Sequence, residues 1–249
     1  MAVMEILTPN LIATTTLIVV DSSTGATDRL INRNKTDQYE TSGFASLTST
    51  IISVEFSSST IISNILIQSH NLKDFRLFYN SVTANSLGIF SSNSATSTYT
   101  TFASVTVTSV QLQMDTAQTS VEKAVGQYIL AERKLAFTRN PSIKNWKPLI
   151  DRTQVRHVMA DGGIVLHNVR DKYKAKLKFT FITESFHDSL LNIYEEAAPF
   201  YFVPFPTTSA WLGNAFEMVW SKDFDFKFST NVRSIGFTGQ ILLEETSNA

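Results

Sequence analysis

Histidines are the first residues to weigh. His157, His167 and His187 lie in one stretch of the chain, and the first two flank the turn Asp161-Gly162-Gly163, where they would meet across a hairpin. A metal site needs three or four ligands and a supporting shell. No tight ligand spacing is present, so the three read as surface or half-buried histidines, and no metal is expected. Serines are plentiful, but no Gly-x-Ser-x-Gly elbow exposes one as a nucleophile. Neither a Gly-x-x-x-x-Gly-Lys-[Ser/Thr] loop nor a Gly-x-Gly-x-x-Gly turn occurs, and only 9 glycines are present. Glu195-Glu196 falls at a helix end and reads as a solvated face. No catalytic set is assembled, so the expectation is no enzyme and no cofactor.

Charge and aromatic patterning offer more. Lys172, Lys174, Lys176 and Lys178 alternate with Tyr173, Ala175, Leu177, Phe179 and, beyond them, Phe181. A period of two belongs to a half-buried strand. The lysine face is either a solvated surface guarding an edge or an electrostatic contact with an acidic subunit or nucleic acid. Asp223 and Asp225 could answer it from a neighbouring strand. Phe200, Tyr201, Phe202, Val203, Phe205 and Trp211 are too apolar to be left in water. They belong to the core or form a candidate subunit interface. Tyr79, Phe90, Tyr99 and Phe102 are aromatics of the kind that stack on sugar rings.

The bulk numbers bound these readings. A chain of 249 residues fits one large or two medium domains. Charged residues are 17% and net charge is −1, which gives no whole-protein reason to bind nucleic acid. There are no cysteines, so disulfides and thiolate chemistry are excluded. The N-terminus lacks a basic run and Pro9 interrupts its apolar stretch, so no signal peptide is expected. No stretch approaches the roughly 18–20 apolar residues of a membrane helix.

Elements follow from the patterning. Segments 15–20, 51–56, 61–68, 75–79, 105–114 and 125–131 are strand-like and separated by polar turns, which predicts a sandwich or jelly roll over 1–132. In the fifth, Val105 and Val107 are odd whereas Val110, Leu112 and Met114 are even, so a bulge is expected near Thr108-Ser109. Pro141 and Pro148 mark 133–150 as a connector that packs Trp146. In the second domain, 151–249, strands 154–159 and 164–169 form the hairpin. The lysine-stripe strand comes next, then a helix over 185–197 capped by Thr183 or Ser185. Two long alternating strands carry Phe224, Phe226, Phe228 and then Ile235, Phe237, Ile241 and Leu243. The predicted fold is mainly β: an N-terminal jelly-roll β-sandwich followed by a C-terminal β-sandwich domain with one α-helix.

Two resemblances add to this reading. Residues 61–79, with the turn His70-Asn71-Leu72, and later residues 104–131 resemble a galactose-binding-like jelly roll of the discoidin type. Residues 161–244 resemble the distal and minor tail proteins of long-tailed phages. The shared pattern is a glycine hairpin, a Lys/apolar strand, a helix, the apolar 200–206 loop and two strands ending in Leu243-Glu244-Glu245. One departure is that the jelly roll comes first here. The resemblance implies a structural subunit of a virion tail, in a tip or baseplate ring that joins the tube to the hub. It implies a homo-oligomeric ring with other tail proteins as partners, assembled in the host cytoplasm, with nucleic acid met only in a lumen. A carbohydrate-binding module contacting a host surface glycan is the alternative, and a neck or head-completion ring protein the second alternative.

Overall fold

A computed structural model describes residues 3–14, 17–20, 27–31, 37–42, 47–138, 140–141, 148–159, 163–206, 215–228 and 236–246. The chain is mainly β with one described α-helix and divides into two compact units. The first holds residues 1–136 and 201–215; the second holds 137–200 and 216–247. Both ends of the connector expected at 133–150 lie in strands, and its residues 139 and 142–147 lie outside the described residues. Residues up to Ala136 finish a strand, Phe137 is buried in the second unit, and a new strand begins at Pro148. Trp146 and the Asp161-Gly162 part of the turn lie outside the described residues.

The first unit is a β-sandwich. Its strands are β1 (Glu5–Asn10), β2 (Leu17–Val20), β3 (Tyr39–Glu40), β4 (Thr50–His70), β5 (Leu72–Tyr79), β6 (Val82–Phe90), β7 (Ser97–Ala117) and β8 (Ala124–Ala136). They hydrogen-bond in the order β6-β5-β7-β4-β8-β1, with β2 on β4 and β3 on β8. Ladders this long cannot stay flat, because strands twist. β4 and β7 are interrupted between Glu55 and Thr60, opposite Thr108, where the register shifts. The phase change expected near Thr108-Ser109 is there, but the extra residues belong to β4: Val107 is buried, Thr108 is exposed, and Val110, Leu112 and Met114 are buried on the new phase. Asn80 Oδ1 accepts from the Thr108 amide at 2.8 Å. An aliphatic core built from Ile52, Val54, Ile65, Leu77, Leu112 and Leu130 fills the sandwich.

The apolar segment after residue 199 also enters this unit. β11 (Phe200–Val203) pairs with β1 through Tyr201, Phe202 and Val203. Tyr201 and Val203 pack with Leu7, Leu66 and Ile129.

The second unit contains β9 (Pro148–Val158), β10 (Ile164–Ile182), α1 (Glu184–Glu195), β12 (Phe216–Trp220), β13 (Asp225–Phe228) and β14 (Phe237–Glu245). β14 pairs with β10, β12 and β13, and β10 pairs with β9. The hairpin strand and the lysine-stripe strand are thus one 19-residue strand. Ala175, Leu177 and Phe179 are buried, whereas Lys176, Lys178 and Thr180 are exposed, as the alternation requires. Phe181 departs from it and is 55% exposed. A bulge between Phe179 and Ile182 puts Phe181 at φ +58° and turns Ile182 inward instead. Opposite it, Gly236 has φ +103°, and a Cβ there would lie 2.6 Å from the Ile182 carbonyl oxygen.

Helix α1 buries Phe186, Leu190 and Ile193, one stripe at helical spacing. Thr183 caps it, accepting from the Phe186 amide at 3.3 Å. Ala197 in the left-handed region and Pro199 end it. Phe186 meets Phe137 and Phe179 edge to face, at centroid distances of 5.5 and 6.0 Å.

Candidate functional site

The most organised polar surface lies in the first unit, where β4 turns into β5. Ser69 adopts φ +52°, a conformation disfavoured for a residue with a side chain. Its carbonyl accepts from Gln38 Nε2 at 2.5 Å. His70 and Asn71 follow and tie neighbouring loops together. The His70 amide donates to Thr96 O at 2.9 Å, and the Asn71 amide to Ala124 O at 3.2 Å. Asn71 Oδ1 accepts from the Ala124 amide at 2.8 Å, and Asn71 Nδ2 donates to Glu122 O at 2.9 Å. Asn93 does the same on the next loop, donating to Leu72 O and Ala95 O.

His70 is 2% exposed and its imidazole is fully engaged. Nδ1 lies 3.2 Å from the Leu72 amide and accepts from it. The proton therefore sits on Nε2, which donates to Thr98 Oγ1 at 2.9 Å. Burial lowers the pKa from 6.5 to about 4, so the ring is neutral near pH 7.

Above this floor opens a cleft of about 650 Å³, lined by Gln38, Glu40, Ser69, His70, Asn71, Thr96, Ser97, Ser120, Glu122 and Ala124. Glu40 and Glu122 are exposed, and Ser97 is buried with no partner for its Oγ. None of the described lining residues is aromatic. A ligand here would be held by hydrogen bonds and charge.

The residues singled out from sequence are placed elsewhere. Phe200, Tyr201, Phe202 and Val203 are at most 2% exposed, so they are core and not a subunit interface. The cause is the β1–β11 pairing, with Gln127 Nε2 donating to the Tyr201 hydroxyl at 3.2 Å. Phe205 is half-buried, and Trp211 lies outside the described residues. Lys172 and Lys174 both reach Glu244, at 3.8 and 3.7 Å, because register sets Lys174 opposite Glu244. The answering acid is thus neither Asp223 nor Asp225; Asp225 pairs with Lys227 at 3.7 Å. Lys176 and Lys178 face outward.

The aromatics considered for sugar stacking are structural. Phe90 stacks on Phe75 at 4.5 Å, and Tyr79 and Phe102 pack on the aliphatic core. The Tyr99 hydroxyl donates to Glu5 Oε2 at 2.7 Å; burial, then Glu5, raises its pKa. His187 stacks on Phe237 at 4.0 Å. His157 sits opposite Val165, and His167 opposite Val155. Among the described residues no group of three His, Asp or Glu side chains could hold a metal ion, and no helix is long and apolar enough to cross a membrane.

Sequence reasoning found the turn His70-Asn71-Leu72 as part of a fold pattern but missed the cleft. Gln38, Glu40, Ser97 and Glu122 carry no local signal, since each is an ordinary polar residue beside a turn.

No protein-family model and no curated protein matches the chain. Solved structures similar to it include carbohydrate-binding modules and, over 26–29% of their length, fucosidases, all at low identity. Chitosan-binding module 1 from a chitosanase/glucanase of Paenibacillus sp. IK-5 is 13% identical, with a TM-score of 0.42, over 49% of this chain and 98% of that one. The family 32 carbohydrate-binding module of Streptococcus pneumoniae EndoD is 14% identical, with a TM-score of 0.39, over 50% of this chain and all of that one. The Clostridium perfringens module CpGH89CBM32-5, solved with GalNAc-β-1,3-galactose, is 13% identical at a TM-score of 0.39, over 46% of this chain and 94% of that one. About half of this chain is similar to nearly the whole of each sugar-binding module.

Proposed function

We propose that the first unit is a non-catalytic binding module for a carbohydrate, held in the His70 cleft. The observation that carries this reading is the cleft's construction. Its floor is locked by His70 and Asn71, while polar groups on its rim and wall face a space of sugar size. A preorganised polar cleft loses little entropy on binding a polyhydroxylated ligand. A neutral His70 with both nitrogens engaged supports binding over proton transfer. A glycan array probed with the full chain tests the reading. Positive spots should be lost on Asn71→Ala, which unties the floor, while the protein stays folded by circular dichroism. A blank array at high protein concentration rejects it.

A second reading, a structural subunit of a phage tail, draws support from the second unit. The β9–β10 hairpin leaves Val158, Ile164 and Leu166 more than half exposed, and Val155 and Val165 partly so. The register puts the first three on one face and the last two on the other. Apolar side chains on both faces of a two-stranded ribbon favour a covering partner. Light scattering across concentration tests this, since a ring subunit forms a closed oligomer and a free module stays monomeric. The two readings are compatible, because a tail subunit can carry a glycan-binding module.

A further inference from the structure

We infer that the ligand of the His70 cleft carries a positive charge, and that the cleft selects a sugar bearing a free, protonated amine. The inference rests on the carbohydrate reading above and goes beyond it by naming the ligand's charge.

Two carboxylates set the cleft's character. β3 and β8 are paired with Glu40 opposite Ala124, and the Thr41 amide donates to Lys123 O at 3.0 Å. That pairing fixes Glu40 on one side of the cleft and brings Glu122, two residues before Ala124, beside it. Both side chains are exposed, and neither has an ion pair or side-chain hydrogen bond among the described residues. The cations near them in sequence are engaged elsewhere. Lys123 is buried and its Nζ donates to Thr48 O at 2.6 Å, while Arg29, which donates to the Gln38 carbonyl at 3.2 Å, has its charge answered by Asp37 at 3.1 Å. No lysine or arginine lines the cleft among the described residues, and burial keeps His70 neutral near pH 7. Among the described residues the cleft lining is therefore net negative, with Glu40 and Glu122 as its charged side chains.

Ser97 supplies an independent sign of an occupant. It lines the cleft and is 2% exposed, and its Oγ has no hydrogen-bond partner. Buried hydroxyls are nearly always paired, so an orphan in a cleft wall points to a group that arrives with the ligand. A hydroxyl both donates and accepts, which matches a hydroxyl on a sugar ring. An ammonium group for Glu40 and Glu122, with hydroxyls beside it for Ser97, describes an amino sugar. A divalent cation fits less well. Calcium takes about six to eight oxygen ligands, and no cluster of three acidic or histidine ligands exists among the described residues.

N-acetylation removes the charge and keeps the hydroxyls, so it separates the two contributions. Calorimetry on the full chain would compare the β-1,4 trisaccharides of glucosamine, N-acetylglucosamine and glucose. The glucosamine trimer is expected to bind about tenfold more tightly than the other two, as two partly exposed ion pairs would give. That preference should shrink as salt rises to about 0.5 M. Glu40→Gln with Glu122→Gln should abolish the preference and leave weak binding of all three. Ser97→Ala should weaken all three by a similar factor and keep the preference. Equal binding of charged and neutral trimers overturns the charge inference and leaves the carbohydrate site standing. Calcium titrating into the cleft, and lost on the same Glu→Gln pair, also overturns it. No binding of any trimer, together with a blank glycan array, takes down the carbohydrate reading itself.

Discussion

In the first unit aliphatic side chains such as Ile52, Ile65, Leu77 and Leu112 fill the core, and amides close the strand ends. Asn71, Asn80 and Asn93 each bridge two chain segments through a side-chain amide. In the second unit the core is aromatic: Phe137, Phe179, Phe186, Phe226 and Phe237 form a chain of ring contacts that includes His187. The two histidines summarise the contrast. His70 is buried, with both nitrogens hydrogen-bonded, under a polar cleft, whereas His187 lies flat on Phe237 and meets Asp188 at 2.9 Å. Amide hubs rigidify loops and so build a polar recognition surface. Ring clusters stabilise a sheet and helix but do not organise the loops around them. That difference fits the polar cleft of the first unit, with its buried, unpartnered Ser97 hydroxyl, and the apolar hairpin faces of the second.

Four perturbations would break or sharpen this contrast, taken from the largest expected effect downward. Phe179→Ala removes a ring that touches Phe137, Phe186 and Phe226, and should cost the second unit about 4 kcal/mol in urea unfolding. A loss below about 1 kcal/mol would mean the aromatic cluster is not what holds that unit. Acid should act on the first unit through His70. Its folded pKa of about 4 lies below the ordinary 6.5. Between those values the unfolded chain holds a proton that the folded chain does not. The His70 contribution is therefore complete above pH 6.5 and is lost as pH falls to 4, by about 3 kcal/mol. Unfolding midpoints measured across that window should lose this pH slope in His70→Gln.

Gly236→Ala should cost about 2 kcal/mol, from its positive φ and the close Ile182 carbonyl. A neutral result would show that the Phe181 bulge relaxes freely. Thr183→Ala, which removes the α1 cap, should cost about 1 kcal/mol, read as a shift in thermal midpoint, with Thr183→Ser restoring most of it.

Much of the fold was legible because it is written at short range. The alternation of β10 gives its faces from Ala175 to Phe179, and the phase slip at Thr108 locates the register shift between β7 and β4. The stripe Phe186, Leu190 and Ile193 gives α1, and Thr183 its start. What failed was set by pairing partners. Phe181 continues a perfect alternation, yet the register against β14 turns it outward. The lysines found Glu244 instead of the nearer-looking Asp223 and Asp225 for the same reason.

The sequence alone determined many of the strands, though not β1, β6, β11 or β12, and where the helix runs and which face it buries, because side-chain period and backbone propensity act over a few residues. Only the tertiary structure decided that β11 joins the first unit and that Glu40, His70, Ser97 and Glu122 share one cleft. Those outcomes depend on which strand edges remain open to pair once the rest of the sheet has formed. That is a non-local matter, and no spacing along the chain records it.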